Sequence, residues 1–333
     1  MFSMKKIIND PARVAEETME GLELAYDGLA RKLPGITALV LNEIPDGKVA
    51  LLIGGGSGHE PMFPGFVGRG FADGVACGGT FAAPSPDVVL EATRAVHRGR
   101  GVLYLYGNYA GDNMNFDIAA ELAAEEGIAV RTVRVWDDVA SGGPDQVEER
   151  RGIAGDAYMI KIAGAAAATL DSLEAVEAVA VKARENLRSI GVAVRAGSIP
   201  ETGKPTFELG DDEIEIGMGA HGEPGVKRQK LTAADPLAEQ MMASLFADLP
   251  LAAGDEVALL FNNLGATTYM EMLIVNRRVR ALLAERGVKV HKTDMGAYLT
   301  CQEMAGFSIT LLKLDAELKR YFDLPGSCFG MTR

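Results

Sequence analysis

Val49-Ala50-Leu51-Leu52-Ile53-Gly54-Gly55-Gly56-Ser57-Gly58-His59-Glu60-Pro61 is the stretch from which the rest of the chain is best read. Five apolar residues in a row describe a strand buried on both faces. The glycines after them leave main-chain N–H groups open to close approach by a small ligand. The segment then delivers one imidazole, a group that exchanges protons near neutral pH. On these grounds two readings stay open, a tight structural turn and a ligand cradle. Several templates are excluded by single residues. The Gly-x-x-x-x-Gly-Lys-Ser/Thr phosphate loop is missing, Gly-x-Gly-x-x-Gly fails at His59 or Pro61, and Gly-x-Ser-x-Gly around Ser57 fails at His59.

Outward from this stretch, strand-like and helix-like segments alternate. Asn9-Asp10-Pro11 caps a helix with Val14, Leu22 and Leu29 along one face, and Ser85-Pro86-Asp87 starts another. Val102 to Tyr106 is a second buried strand, followed by the loop Gly107 to Asp112, a helix through Phe116 and Leu122 to Gly127, and a strand from Ile128 to Trp136. This rhythm predicts an α/β protein whose first sheet is largely parallel and covered by helices. Asp171-x-x-Glu174 has the sense of a capping box for a helix ending at Gly191. The run Ser198 to Asp212 is rich in Pro, Gly, Thr and Asp, and a domain crossing is expected between about Gly191 and Asp212. Two domains are therefore expected, 1–190 and a smaller α/β (α+β) domain at 191–333, with the C-terminal tail returning to the first. In the second, strands at Glu213–Met218 and Val257–Phe261 lead into Gly219-Ala220-His221-Gly222-Glu223-Pro224-Gly225 and Asn262-Asn263-Leu264-Gly265; a long helix to Gly287 and a strand at Val288–Lys292 follow.

Composition removes whole classes of function. At 333 residues the chain exceeds the roughly 250–300 at which single cores stop growing. A net charge of -13 argues against nucleic acid and against an anionic membrane surface. Cys77, Cys301 and Cys328 are too few and scattered for a disulfide framework or metal cluster, which suits a reducing cytoplasm. No apolar run approaches the roughly 18 residues that span a bilayer. Met1 to Lys6 lacks the apolar core of a signal peptide, and Met4 is a candidate start.

Open α/β sheets bind ligands beyond the carboxyl ends of their strands. Four loops hold that position, and two of them carry His59 and His221, half of the four histidines. His97 sits among arginines at a helix end and His291 alternates along a strand, so both read as surface residues. A metal set drawn from His59, Glu60, Asp112, His221 and Glu223 lacks any helical i, i+4 ligand pair, and no metal is expected.

Gly54 to Pro61, Gly107-Asn108-Tyr109-Ala110-Gly111-Asp112-Asn113-Met114-Asn115-Phe116, Gly219 to Gly225 and Asn262 to Gly265 together resemble the dihydroxyacetone kinase family. More narrowly they resemble its substrate-binding subunit, DhaK, and the opening Lys5-Lys6-Ile7-Ile8-Asn9 and closing Gly306 to Leu312 extend the likeness over the whole chain. The resemblance implies a cytoplasmic kinase subunit of glycerol metabolism, homodimeric, that holds its ketone substrate as a hemiaminal on His221. It implies that His59 and Asp112 form the catalytic polar pair, with Asp112 as base and His59 orienting or sharing the proton; the opposite labels remain open. Gly56, Ser57, Gly58 and Gly107 would join them around the substrate. No cofactor is expected on this chain. Mg²⁺ and ATP or ADP would sit on a separate DhaL-type nucleotide-binding subunit, with a phosphotransferase relay protein as one source of phosphoryl groups. Gly107 departs from the family, where a lysine often stands, and this suggests a larger ketose such as erythrulose as an alternative. A ketose sensor without catalysis is a second alternative.

Overall fold

The structure is a computed structural model in which residues 5–333 are described; the reading of Met4 as a start lies outside them. The chain up to Val135, with Asp156–Ala183 and Leu318–Arg333, makes one compact unit; Trp136–Gly155 and Arg184–Glu317 make the other.

The first unit contains strands β1 (Ala30–Lys32), β2 (Ala38–Leu41), β3 (Ala50–Ser57), β4 (Gly68–Arg69), β5 (Gly74–Thr80), β6 (Val102–Gly107) and β7 (Val130–Val135), and helices α1 (Val14–Ala25), α2 (Pro86–Val96), α3 (Ala110–Glu125) and α4 (Asp156–Ala167). Six strands form a sheet ordered β1-β2-β5-β3-β6-β7. β5, β3, β6 and β7 run parallel, and the β1–β2 hairpin adds an antiparallel edge. The opening apolar run lies in this parallel core because every residue of β3 is buried. Helix α2 packs on β5 and β3 and against α3, which lies on β6 and β7; α4 lies on β3 and β6.

Helix α4 is apolar around its whole circumference and buried at every position, Lys161 included. The Lys161 ammonium donates a 2.9 Å hydrogen bond to the carbonyl of Tyr321. Burial, reinforced by the charge of Arg333 and opposed by Asp323, pulls Lys161 down from 10.5 to about 8. Between these two values the unfolded chain binds more protons than the folded one, so folding stability from this group rises as pH goes from about 8 to 10.5. Urea unfolding followed across that window is expected to show the rise in the wild type and a flatter profile in Lys161→Met. Equal slopes in the two proteins would refute the assignment.

The second unit contains β8 (Leu187–Arg195), β9 (Glu213–Ile216), β10 (Lys227–Lys230), β11 (Glu256–Asn263), β12 (Lys289–Gly296) and β13 (Ala305–Leu314). Helix α5 (Leu173–Glu185) leads into it, and α6 (Ala234–Asp248) and α7 (Tyr269–Glu285) cover its sheet. The order is β10-β9-β8-β13-β11-β12, antiparallel throughout except for β11 with β12. Ile190, Met241, Leu245, Leu259, Phe261, Val275 and Ile309 centre its core.

Three expectations change here. The helix expected to reach Gly191 stops at Glu185, and Leu187 to Arg195 is instead a strand held on both sides by β9 and β13. Pairing on two edges, with seven of nine residues buried, outweighs any helical preference of that run. A single domain cut at residue 190 would therefore sever β8. Ser198 to Asp212 is the connection between the neighbouring strands β8 and β9, not a crossing between domains. The chain crosses after Val135 and returns at Asp156, so Trp136–Gly155 belongs with the second unit; Val139 N–H bonds to Ser189 O at 3.0 Å. The tail from Leu318 belongs to the first unit, where β14 (Ser327–Cys328), after the short helix α8 (Ala316–Asp323), pairs with β4.

Candidate active site

The glycines at the end of β3 do two different jobs. Gly54 to Ser57 remain part of the strand, so the expected loop is shorter than the sequence suggests. A Cβ on Gly54 would lie 2.7 Å from the Phe116 ring, and one on Gly55 would lie 2.1 Å from the ring of Phe63. The absent side chains let Phe116, on α3, settle on the strand, where it stacks on Tyr106 at 4.3 Å between ring centroids. Because α3 also carries Asp112, glycine in β3 fixes how close that carboxylate's helix comes. The turn proper begins at Gly58, whose φ of 99° is left-handed and whose N–H bonds to Glu60 Oε1 at 2.9 Å.

His59 follows, 3% exposed, its ring tilted against Phe81 with centroids 5.0 Å apart. Ser57 is tied from both sides: its hydroxyl donates to Gly78 O at 2.7 Å, and Phe81 N–H donates to Ser57 O at 2.8 Å. The segment after β5 thus straps the end of β3, and it closes over Gly56, where a Cβ would meet Ala82 N at 2.8 Å.

Asp112 enters from the neighbouring strand. Gly54 pairs with Tyr106, so the loops after β3 and β6 leave the sheet side by side. Gly107 is the last, buried residue of β6. Asn108 is pinned by its N–H to Val135 O at 2.8 Å, and Asn113 Nδ2 bonds to Asn108 Oδ1 at 2.8 Å. Tyr109 caps α3 with extended backbone, which puts Asp112 in the first turn, where the helix dipole favours a carboxylate. The loop expected to run from Gly107 to Asp112 is thus shorter, and Asp112 lies inside the helix. Burial first, then the charges of Glu60 and Asp112, push the buried Cys77 thiol up, so both carboxylates act on one interior region. Burial also raises Glu60, against the pull of Gly58 N–H. Sequence reading weighed Glu60 only as a metal ligand and did not single out Phe81, which is distant in the chain and which only pairing brings back.

His221 lies in the second unit, on the loop after β9. Its Nδ1 is 2.9 Å from Glu223 Oε1, and its backbone N–H donates to Glu223 Oε2 at 2.9 Å. Burial pushes Glu223 up, but the hydrogen bond and charge of His221, helped by backbone N–H groups, overcome it and hold the carboxyl at about 2. Glu223 is therefore ionised at neutral pH and only accepts hydrogen bonds. Nδ1 must then carry the proton, and in the neutral ring the lone pair sits on Nε2. Sequence reading placed Glu223 in the motif without giving it this task. Two residues' spacing across Gly222, which has φ of 87°, is what lets the side chain fold back on the ring.

The fourth loop is architecture. Asn262 Oδ1 accepts N–H bonds from Tyr298 and Leu299, both at 2.9 Å, and Asn263 Oδ1 accepts from Gly265 and Thr267. His291 Nδ1 lies 3.5 Å from Glu256 on the neighbouring strand, and His97 ends α2. Among the described residues no three His, Cys, Asp or Glu side chains cluster to hold a metal ion, and no helix is long and apolar enough to cross a membrane.

The first unit thus carries an imidazole and a carboxylate at the ends of adjacent parallel strands, the second a histidine oriented by a carboxylate, and the relatives of the chain are kinases, that is, phosphotransferases. Residues 20–329 match the Dak1 domain, and the chain belongs to the dihydroxyacetone kinase DhaK family. It is 44% identical over 326 residues to the dihydroxyacetone-binding subunit DhaK of PTS-dependent dihydroxyacetone kinase 2 from Listeria innocua, covering 97% of each chain. It is 38% identical to L-erythrulose kinase of Pectobacterium atrosepticum, covering 97% of this chain and 55% of that protein. Among solved structures, the dihydroxyacetone kinase operon co-activator Dha-DhaQ superposes with a TM-score of 0.88 at 32% identity, over 94% of this chain and 97% of that one.

Proposed function

We propose that this chain is the ketose-binding subunit of a dihydroxyacetone-type kinase, capturing the substrate ketone covalently on His221 and presenting its hydroxyl for phosphoryl transfer. The observation that carries the reading is the 2.9 Å hydrogen bond between His221 Nδ1 and Glu223, which leaves Nε2 as the nucleophile. Attack of Nε2 on the ketone carbon forms the C–N bond as the carbonyl π bond opens onto oxygen. The oxygen takes up a proton and the ring releases its Nδ1 proton toward Glu223, which leaves a neutral hemiaminal. A polyol of similar size has no electrophilic carbon, so capture selects ketones where hydrogen bonding alone discriminates weakly.

Asp112 is assigned as the base that takes the proton of the attacking hydroxyl, and His59 orients or shares it. Gly56, Ser57, Gly58 and Gly107 line the substrate on the same side. Nucleotide and Mg²⁺ belong to a separate DhaL-type subunit, charged by ATP or by a phosphotransferase relay protein, and the chain works as a homodimer in the cytoplasm. Its three cysteines are few, scattered along the chain and buried, as suits a reducing compartment.

Intact-mass measurement after incubation with dihydroxyacetone tests the capture step. An added mass of one ketose is expected, with phosphorylated ketose appearing once the nucleotide-bearing subunit, Mg²⁺ and ATP are supplied. No adduct under any condition would overturn the reading. Two observations favour refinements. Gly107 lacks the family's lysine and the chain resembles an erythrulose kinase, so a four-carbon ketose is a candidate substrate; a strong three-carbon preference would exclude it. The likeness to a co-activator supports a sensor, which would show capture without turnover.

A further inference from the structure

The His221 loop is gripped from below by a side chain that the reading above leaves unused. Arg151, on the segment between Trp136 and Gly155, has its Nε and one terminal nitrogen 3.2 and 2.9 Å from Asp138 Oδ2. The same terminal nitrogen donates to Gly217 O at 3.1 Å, the residue where the loop leaves β9. Its other terminal nitrogen and Glu223 Oε2 both press against Gly219: a Cβ there would lie 2.5 Å from the first and 2.2 Å from the second. Asp138 is fully buried and fixed in turn, accepting from Ala140 N–H at 3.0 Å, while Arg151 N–H bonds to Ser141 Oγ at 2.9 Å. A buried carboxylate thus holds a guanidinium that bonds the base of the loop at Gly217 O and stands, with the carboxylate that orients His221, over the same face of Gly219.

We infer that Arg151, held by Asp138, is a positioning residue for ketose capture: it fixes the base of the His221 loop and keeps Glu223 against the imidazole. A guanidinium suits the task because its planar fork reaches Asp138, Gly217 O and the edge of Gly219 at once, which an ammonium does not. Without it, Gly217, whose φ is 79°, and Gly222 leave the loop free to rotate and Glu223 free to leave the ring.

This inference rests on His221 being the capturing group, and the test separates the two. Ring ¹⁵N shifts report the tautomer of His221 whether or not any ketose binds, and only four histidines need assigning. The wild type is expected to show the Nδ1–H form at His221. Arg151→Gln and Asp138→Asn are both expected to show a mixture of tautomers there, with His59 unchanged, and to weaken dihydroxyacetone adduct formation by on the order of 10–100-fold. Two variants guard against one failing to fold, and Arg151→Lys is expected to stay folded yet recover only part of the loss. Wild-type tautomer and wild-type adduct formation in both folded variants would overturn the positioning role. If the wild type itself forms no adduct, the capture reading falls, while the tautomer shift alone still decides whether Arg151 orients the ring.

Discussion

His221→Ala is expected to form no ketose adduct and to lose phosphorylation by on the order of 10³-fold or more when combined with its nucleotide-bearing partner. The size follows from what the imidazole supplies. Covalent attachment replaces several weak hydrogen bonds to a small polar molecule with one bond, and it converts transfer to that molecule into a step between fixed groups. Glu223→Gln provides the graded control. An amide still accepts from Nδ1–H but no longer compensates positive charge building on the ring, so capture is expected to weaken without disappearing. Intact mass reads the adduct, and a coupled phosphorylation assay reads turnover. Should His221→Ala phosphorylate dihydroxyacetone at the wild-type rate, covalent capture would not lie on the reaction path.

Asp112→Asn is expected to split the reaction differently. Adduct formation should persist, since capture uses His221, whereas kcat should fall by roughly 10²–10⁴-fold, the usual worth of a positioned general base. The substitution keeps the size of the side chain and its place in the first turn of α3, so loss of fold is a poor explanation for loss of rate. If the rate stays within a small factor of wild type while His59→Ala is inactive, the labels exchange and the imidazole is the base. The two residues follow the buried, side-by-side strands β3 and β6, and this is what makes either assignment physically reasonable.

How far the sequence reaches differs between residues. Val49 to Ile53 announced a buried parallel strand because no polar residue interrupts it, and the strand indeed lies between two parallel neighbours. Leu187 to Arg195 offered no such clarity. Its Gly191 resembled a helix end, and its strand identity comes from partners at 213–216 and 305–314, which are remote in the chain. The same holds for Trp136–Gly155, a short excursion whose allegiance is settled by contacts around Ser189 and by no local signal. At the site, the motifs named His59, Asp112 and His221, but their chemistry depends on neighbours. Glu223 was visible two residues away from His221, yet only the fold-back at Gly222 gives it hold of Nδ1.

The sequence by itself determined the α/β class, the family and the three side chains proposed to act. Those properties reside in local order: hydrophobic period, charge and motif spacing are all read along the chain. Tertiary structure alone decided that Gly54 and Gly55 serve the packing of Phe116 and Phe63 as well as any ligand, that the chain crosses at 135–156 and again near 183, and that Arg151 stands under the His221 loop. Each of these depends on residues far apart in sequence coming within a few ångströms. Such meetings are selected by the burial and hydrogen-bond satisfaction of the whole fold, and no single segment carries a signal for them.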